Sequence, residues 1–121
     1  MVNLLRRWLV ATKIGRLWVN NWDLRKNGLI QIGWSLSNKA GRPVDANGAP
    51  LPWITYGAIS FLNSLDFSGA RVLEIGGGSS TIWWLNKGSH VTTLESDEDW
   101  ANEIQRQVRQ EGYAPFFDLR Y

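Results

Sequence analysis

The sequence predicts an α/β domain built on parallel strands, and three observations carry that prediction. From Arg71 onward, short apolar and β-branched runs alternate with helical patterns, the spacing of βαβ units. Three glycines, Gly76 to Gly78, sit where the first of these strands turns into a helix. The 121 residues, 44% hydrophobic and 20% charged, suit one globular domain with one modest core and argue against disorder, collagen-like repeats and coiled coil.

Residues 1 to 36 open the chain as a basic amphipathic helical segment. Leu4, Leu5, Trp8, Leu9, Ile14, Leu17 and Trp18 recur at a loose helical period. Arg6, Arg7, Lys13, Arg16, Arg25 and Lys26 are opposed only by Asp23, whereas the rest of the chain is mildly acidic and the whole carries +2. Such a segment suits a capping helix packed on the body. The capping helix is the expectation, since most amphipathic helices of small proteins face the core, and contact with an anionic membrane surface through residues 1 to 20 is the lesser alternative. No apolar run approaches the roughly 20 residues of a membrane span, and charges interrupt the opening where a secretory signal would need an apolar region, so a cytoplasmic protein is expected. The net charge is too small to imply a nucleic-acid partner, and none is expected.

Residues 37 to 52 concentrate Gly, Pro, Asn and Asp without apolar period and predict a loop, with a tight turn at Asn47-Gly48. The domain proper runs from 53 to 121. Thr55 predicts an N-cap for a helix whose Ala58, Phe61, Leu62 and Leu65 share one face. Val72 to Ile75 form the first strand, and a helix capped by Ser79, Ser80 or Thr81 ends at Lys87-Gly88, where a cation and a glycine suit a C-terminus. His90 to Leu94 form the second strand. Ser96 and Asp99 resemble a capping box for a helix whose buried stripe is Trp100, Ile104 and Val108, and Gly112 stops it. Pro115 opens a third strand in which Phe117, Leu119 and Tyr121 alternate with Asp118 and Arg120. Trp83, Trp84 and Trp100 are expected to fill the space between helices and sheet.

Composition removes several chemistries. Without Cys there is no disulfide, no thiolate nucleophile and no Cys-based metal site, and the one histidine, His90, reads as a strand-edge residue. Glu98 and Asp99 complement a helix dipole. The densest signal is VLEIGGGSST followed by VTTLES, with Glu95 nineteen residues after Gly76. Glycines at a strand-to-helix turn let backbone approach a ligand, and an acid ending the next strand can accept both hydroxyls of a ribose, so the pattern predicts a nucleoside site. A dinucleotide fingerprint would need glycine where Thr81 stands. A phosphate loop would need Gly-Lys at the helix start, whereas Lys87 lies near its end. The plainer alternative is that the Glu74 carboxylate is satisfied by nearby backbone N–H groups and Glu95 only caps the next helix. Trp53 and Tyr56 enter just before the first strand and are candidates for the mouth of the site.

Glu74-Ile75-Gly76-Gly77-Gly78-Ser79-Ser80 resembles the first motif of the class I S-adenosylmethionine-dependent methyltransferases, an acid followed by alternating glycines, with Ser80 in place of the third. The resemblance covers residues 50 to 121 and is most specific over 72 to 97. It implies a partial Rossmann-like three-layer sandwich with strands in the order 3-2-1, preceded by N-terminal helices, and S-adenosylmethionine as cofactor. By the resemblance, Glu74 engages the methionine end of the cofactor through its ammonium group or a water. Gly76, Gly77 and Gly78 form the turn beneath it, and Glu95, with Ser96 beside it, holds the ribose. It also implies that the sequence stops within strand 3, before the strands that line the methyl-transfer site, so no catalytic residue follows from it. Strand 72 to 75 would then present an unpaired apolar edge, expected to take a second polypeptide that completes the sheet or a second copy of the chain. The functional expectation is the cofactor-binding part of a methyltransferase, binding S-adenosylmethionine or S-adenosylhomocysteine. The alternative is a non-catalytic interaction module with a vestigial cofactor turn.

Overall fold

The computed structural model describes Gly28 and residues 32 to 121. The expected helix over 4 to 19 and the membrane contact through residues 1 to 20 lie outside the described residues. Helix α1 spans Trp34–Ala40 and is flanked by Gly33 and Gly41. The predicted loop therefore begins late, because its first four residues, 37 to 40, complete this helix. Ser37 fastens α1 to the loop beyond it. Its Oγ lies 3.0 Å from the Gly33 carbonyl oxygen and 2.9 Å from that of Val44, and accepts the Val44 N–H at 2.9 Å. A Cβ on Gly33 would stand 2.3 Å from the Asp45 carbonyl carbon, so only glycine permits this approach.

The remainder of the loop is ordered by one side chain. Asp45 accepts the N–H groups of Asn47 and Ala49 through Oδ1 at 2.8 and 2.9 Å, an Asx turn that closes the Val44–Pro50 bridge around Asn47-Gly48. Helix α2 spans Tyr56–Asn63, and Thr55 caps it as expected by accepting the Ala58 N–H. Its buried residue is Ile59, flanked by Tyr56 and Leu62 and set against Leu51 and Trp83. The predicted stripe is thus wrong in part: Phe61 is 64% exposed, and Leu65 lies beyond the helix end. A helix this short offers several candidate stripes, and the position of Trp83 selects 56, 59 and 62.

Strands β1 (Arg71–Ile75), β2 (His90–Leu94) and β3 (Phe117–Arg120) form one parallel sheet in the order β1-β2-β3. This is the expected 3-2-1 order read from the other edge. Helices α3 (Ser79–Asn86) and α4 (Glu98–Gln110) make the two crossovers. Register aligns Val72 with Val91 and Phe117, and Glu74 with Thr93 and Leu119, so these six side chains share one face. Ile82 and Leu85 of α3 and Ile104 and Val108 of α4 cover that face and, with Val91, form the core. Each such side chain removed from water contributes about 1.5–3 kcal/mol.

The sandwich has two layers among the described residues, not three. On the opposite face Leu73 is 67% exposed and Ile75 85% exposed. Handedness explains the difference. Strands added in one direction by right-handed crossovers place every connecting helix on the same side, and only a reversal of direction covers the other.

Two details of α4 also depart from expectation. Its N-cap is Asp97, whose Oδ1 accepts the Trp100 N–H at 2.9 Å, so the expected Ser96–Asp99 capping box is not formed. The buried stripe is Ala101, Ile104 and Val108, with Trp100 left 45% exposed. Trp83 packs outward on Leu51 and Ile59 instead of between helix and sheet. A 3-10 turn over Ala114–Phe116 contains Pro115, so β3 opens at Phe117. No described helix is long and apolar enough to cross a membrane.

Candidate functional site

Parallel pairing puts the C-terminal ends of β1 and β2 side by side, and the two motifs singled out by sequence meet there. The Gly76 N–H donates to the Leu94 carbonyl at 2.9 Å and so extends the ladder one residue past Ile75. Gly76 then adopts φ 75° and Gly78 φ 154°, both in territory that side-chain-bearing residues rarely occupy, and the chain swings into α3. A Cβ on Gly76 would meet nothing within 4 Å, so the backbone there is open to an incoming group. Gly77 is a glycine for a different reason. A Cβ on it would sit 2.6 Å from Ile104 Cδ1 and 2.8 Å from Thr93 Cγ2, inside the core.

Glu74 projects to the helix face, beneath the turn. Its Oε2 accepts the Thr81 hydroxyl at 2.5 Å and the Thr93 hydroxyl at 3.0 Å. Thr81 Oγ1 in turn accepts the Gly78 N–H at 3.0 Å. None of Ser79, Ser80 and Thr81 is therefore the N-cap residue of α3. Gly78 occupies the N-cap position, and Thr81, three residues on, ties the turn to the β1 acid. Both threonines are fully buried, and a half-buried carboxylate held by two hydroxyls is satisfied where it stands.

Glu95 follows β2 at the adjoining corner. Its Oε2 accepts the Gly77 N–H at 3.1 Å, and its Oε1 accepts the Ser96 and Asp97 N–H groups at 2.8 and 3.0 Å. These bonds hold its carboxyl below the usual carboxylate range, first through the Asp97 N–H and then through that of Gly77, against the opposing effect of desolvation. A carboxylate offers about four acceptor positions. The turn uses three, so one stays open to another donor. Ser96 takes part through its backbone N–H. From α4, Trp100 closes the arrangement by donating its indole N–H to the Gly77 carbonyl at 2.9 Å.

The cleft beside the turn measures about 290 Å3. Gly76, Gly77, Gly78 and Ser79 line it together with Trp100, Arg42 and Trp53. The structure thus gathers Glu74, the three glycines, Glu95 and Ser96 around one turn, with only the glycines bordering the open space. Of the two aromatic residues expected near the mouth, Trp53 borders this cleft and Tyr56 borders a neighbouring cavity. Sequence reasoning missed Thr81, Thr93, Trp100 and Arg42 as parts of the site. A threonine in the same register row as the strand acid, as Thr93 is to Glu74, was the available signal for one of them.

No family model matches the chain, and no curated protein or solved structure matches it.

Proposed function

We propose that the turn over 76 to 78 is the binding site for S-adenosylmethionine and that the chain is the cofactor-binding part of a methyltransferase. One observation carries this reading. The Glu95 carboxylate is bonded to the Gly77 N–H beside the sterically open Gly76, so an anionic acceptor stands directly behind the approachable backbone that borders the cleft. The donor set supports the fit of a nucleoside with an amino-acid tail. It has a carboxylate with one acceptor position left for a ribose hydroxyl and no lysine at the start of α3 to cradle a pyrophosphate.

When bound, the cofactor supplies a methyl group made electrophilic by its sulfonium. The chain's own residues position the ligand. Glu95 offers its remaining acceptor position to the ribose, and Ser96 and Asp97 keep that carboxylate oriented and ionised. Glu74 fixes the turn through Thr81, so its role toward the ammonium end of the ligand runs through the glycine turn. Trp100 and Trp53 line the cleft with aromatic surface that a bound ligand would cover.

Calorimetric titration with S-adenosylhomocysteine, with NAD as control, tests the reading. Saturable binding of the first ligand alone is expected, lost in Glu95→Ala. Equal binding of both, or none by a folded sample, overturns it. A second reading has its own observation in the bare face of the sheet, where Leu73 and Ile75 are exposed beside the β1 edge. There the chain is an interaction module, and β1 takes a second polypeptide or a second copy. Sedimentation of the chain beside an Ile75→Lys variant tests this second reading. A larger species reduced by the substitution supports it, and a monomer at all concentrations counts against pairing between copies.

A further inference from the structure

The glycine cleft has a neighbour. A second cavity of about 320 Å3 lies between α1 and the start of α2. It shares Gly41, Arg42, Pro43 and Trp53 with the glycine cleft, so the two spaces lie on either side of one wall. That wall has a built foundation. Ser37 fastens α1 to Val44, and Gly33 lets α1 sit directly on the Val44–Asp45 backbone.

The lining selects a particular chemistry. Rings of Trp34, Trp53 and Tyr56 converge from α1, the connecting loop and α2, and Leu51 and Ile59 floor the space. Trp53 leaves 84% of its surface in water at a concave position, apolar area that a flat ring can cover. Ser37 is engaged in holding the wall, which leaves Asn38, Arg42, the Tyr56 hydroxyl and the indole N–H groups of Trp34 and Trp53 as the polar groups of the lining, with Arg42 its one cation among the described residues. A largely apolar slot with one described cation in its lining suits a planar apolar body that carries one anionic group. A neutral polyol would leave the cation unanswered, and a polyphosphate would meet one guanidinium against a largely apolar wall.

We propose that this cavity is a second small-molecule site, which takes an aromatic molecule with a single anionic group beside the glycine cleft. The binding chemistry rests on the cavity alone and does not depend on the cofactor reading above. Amide and indole N–H signals of the nitrogen-labelled chain test it, with indole carboxylate and uncharged methylindole as probes. Indole carboxylate is expected to move the Trp34 and Trp53 indole signals saturably, and methylindole to bind about tenfold more weakly. Arg42→Gln should weaken indole carboxylate about tenfold and leave methylindole unchanged, with preserved signal dispersion reporting an intact fold. Trp53→Ala should weaken both probes. Equal affinity for the two probes, or no movement at Trp34 and Trp53, overturns the proposal. S-adenosylhomocysteine, followed at Gly77 and Trp100 in the same spectra, separates the two readings. Indole carboxylate binding without it overturns the cofactor site and keeps the cavity, and the reverse overturns the cavity alone.

Discussion

The two faces of the sheet meet opposite surroundings. On one, Val91 is 1% exposed and Thr93 0%, beneath α3 and α4; on the other, Ile75 is 85% exposed. β1 sets apolar residues on both sides, Val72 on the covered one and Leu73 and Ile75 on the bare one, as strands of parallel sheets do when helices cover both faces. The strand's composition therefore asks for more covering than two same-handed crossovers deliver. The helix face holds the domain together and supports the glycine turn. The bare face contributes little to that core and much to what the domain can adhere to.

The sharpest way to break the comparison is to shorten one side chain on each side of it. Ile104→Ala, which empties space under Gly77, is expected to lower unfolding free energy in urea by about 2–5 kcal/mol, whereas Ile75→Ala should stay within about 0.5 kcal/mol. An equal loss in both would mean that the bare face is covered in solution. Adding one methyl group on the core side tests the opposite error. Gly77→Ala forces Ile104 and Thr93 apart and is expected to cost about 1–3 kcal/mol, with Gly76 amide shifts displaced. Trp100→Phe removes the indole bond to the Gly77 carbonyl while keeping an aromatic wall, and about 0.5–1.5 kcal/mol is the expected loss.

A smaller effect is read by pH. Because the folded value of Glu95 is depressed below 4.5, its support of the turn is fully present above that pH and fades as pH falls through the folded value. The Gly77 amide resonance should stay in place from neutrality down to about pH 4.5 and move below it. Glu95→Gln, which cannot ionise, should remove the movement. A shift that begins well above pH 4.5 would contradict the depressed value.

Much of the sheet was legible because its signals are local. The βαβ alternation gives β1, α3, β2 and α4 with small changes at their ends, and Lys87 with Gly88 closes α3 as composition suggests. Meeting of the two motifs was legible too, since parallel strands of equal length bring Gly76 and Glu95 to one rim. What escaped depends on partners remote in sequence. Trp100 completes an apolar period with Ile104 and Val108, yet a carbonyl freed at Gly77 draws its indole out of the stripe. Ile59 is chosen over Phe61 by Trp83, a residue on another helix. Two of the three glycines are glycines for backbone conformation and Gly77 for core packing, a distinction no glycine count expresses.

The strand order also sets a sequence of events in time. Each strand pairing closes over a segment that contains one whole helix, first α3 and then α4. On a chain made from its N-terminus, β1, α3 and β2 can close before α4 exists, and β3 then adds to an edge already in place. Growth is one-sided. The β2 edge is exposed only until β3 arrives, whereas the outer edge of β1 has no strand beside it among the described residues at the end of that process. Any chain that meets it can join at the start of assembly as readily as after it.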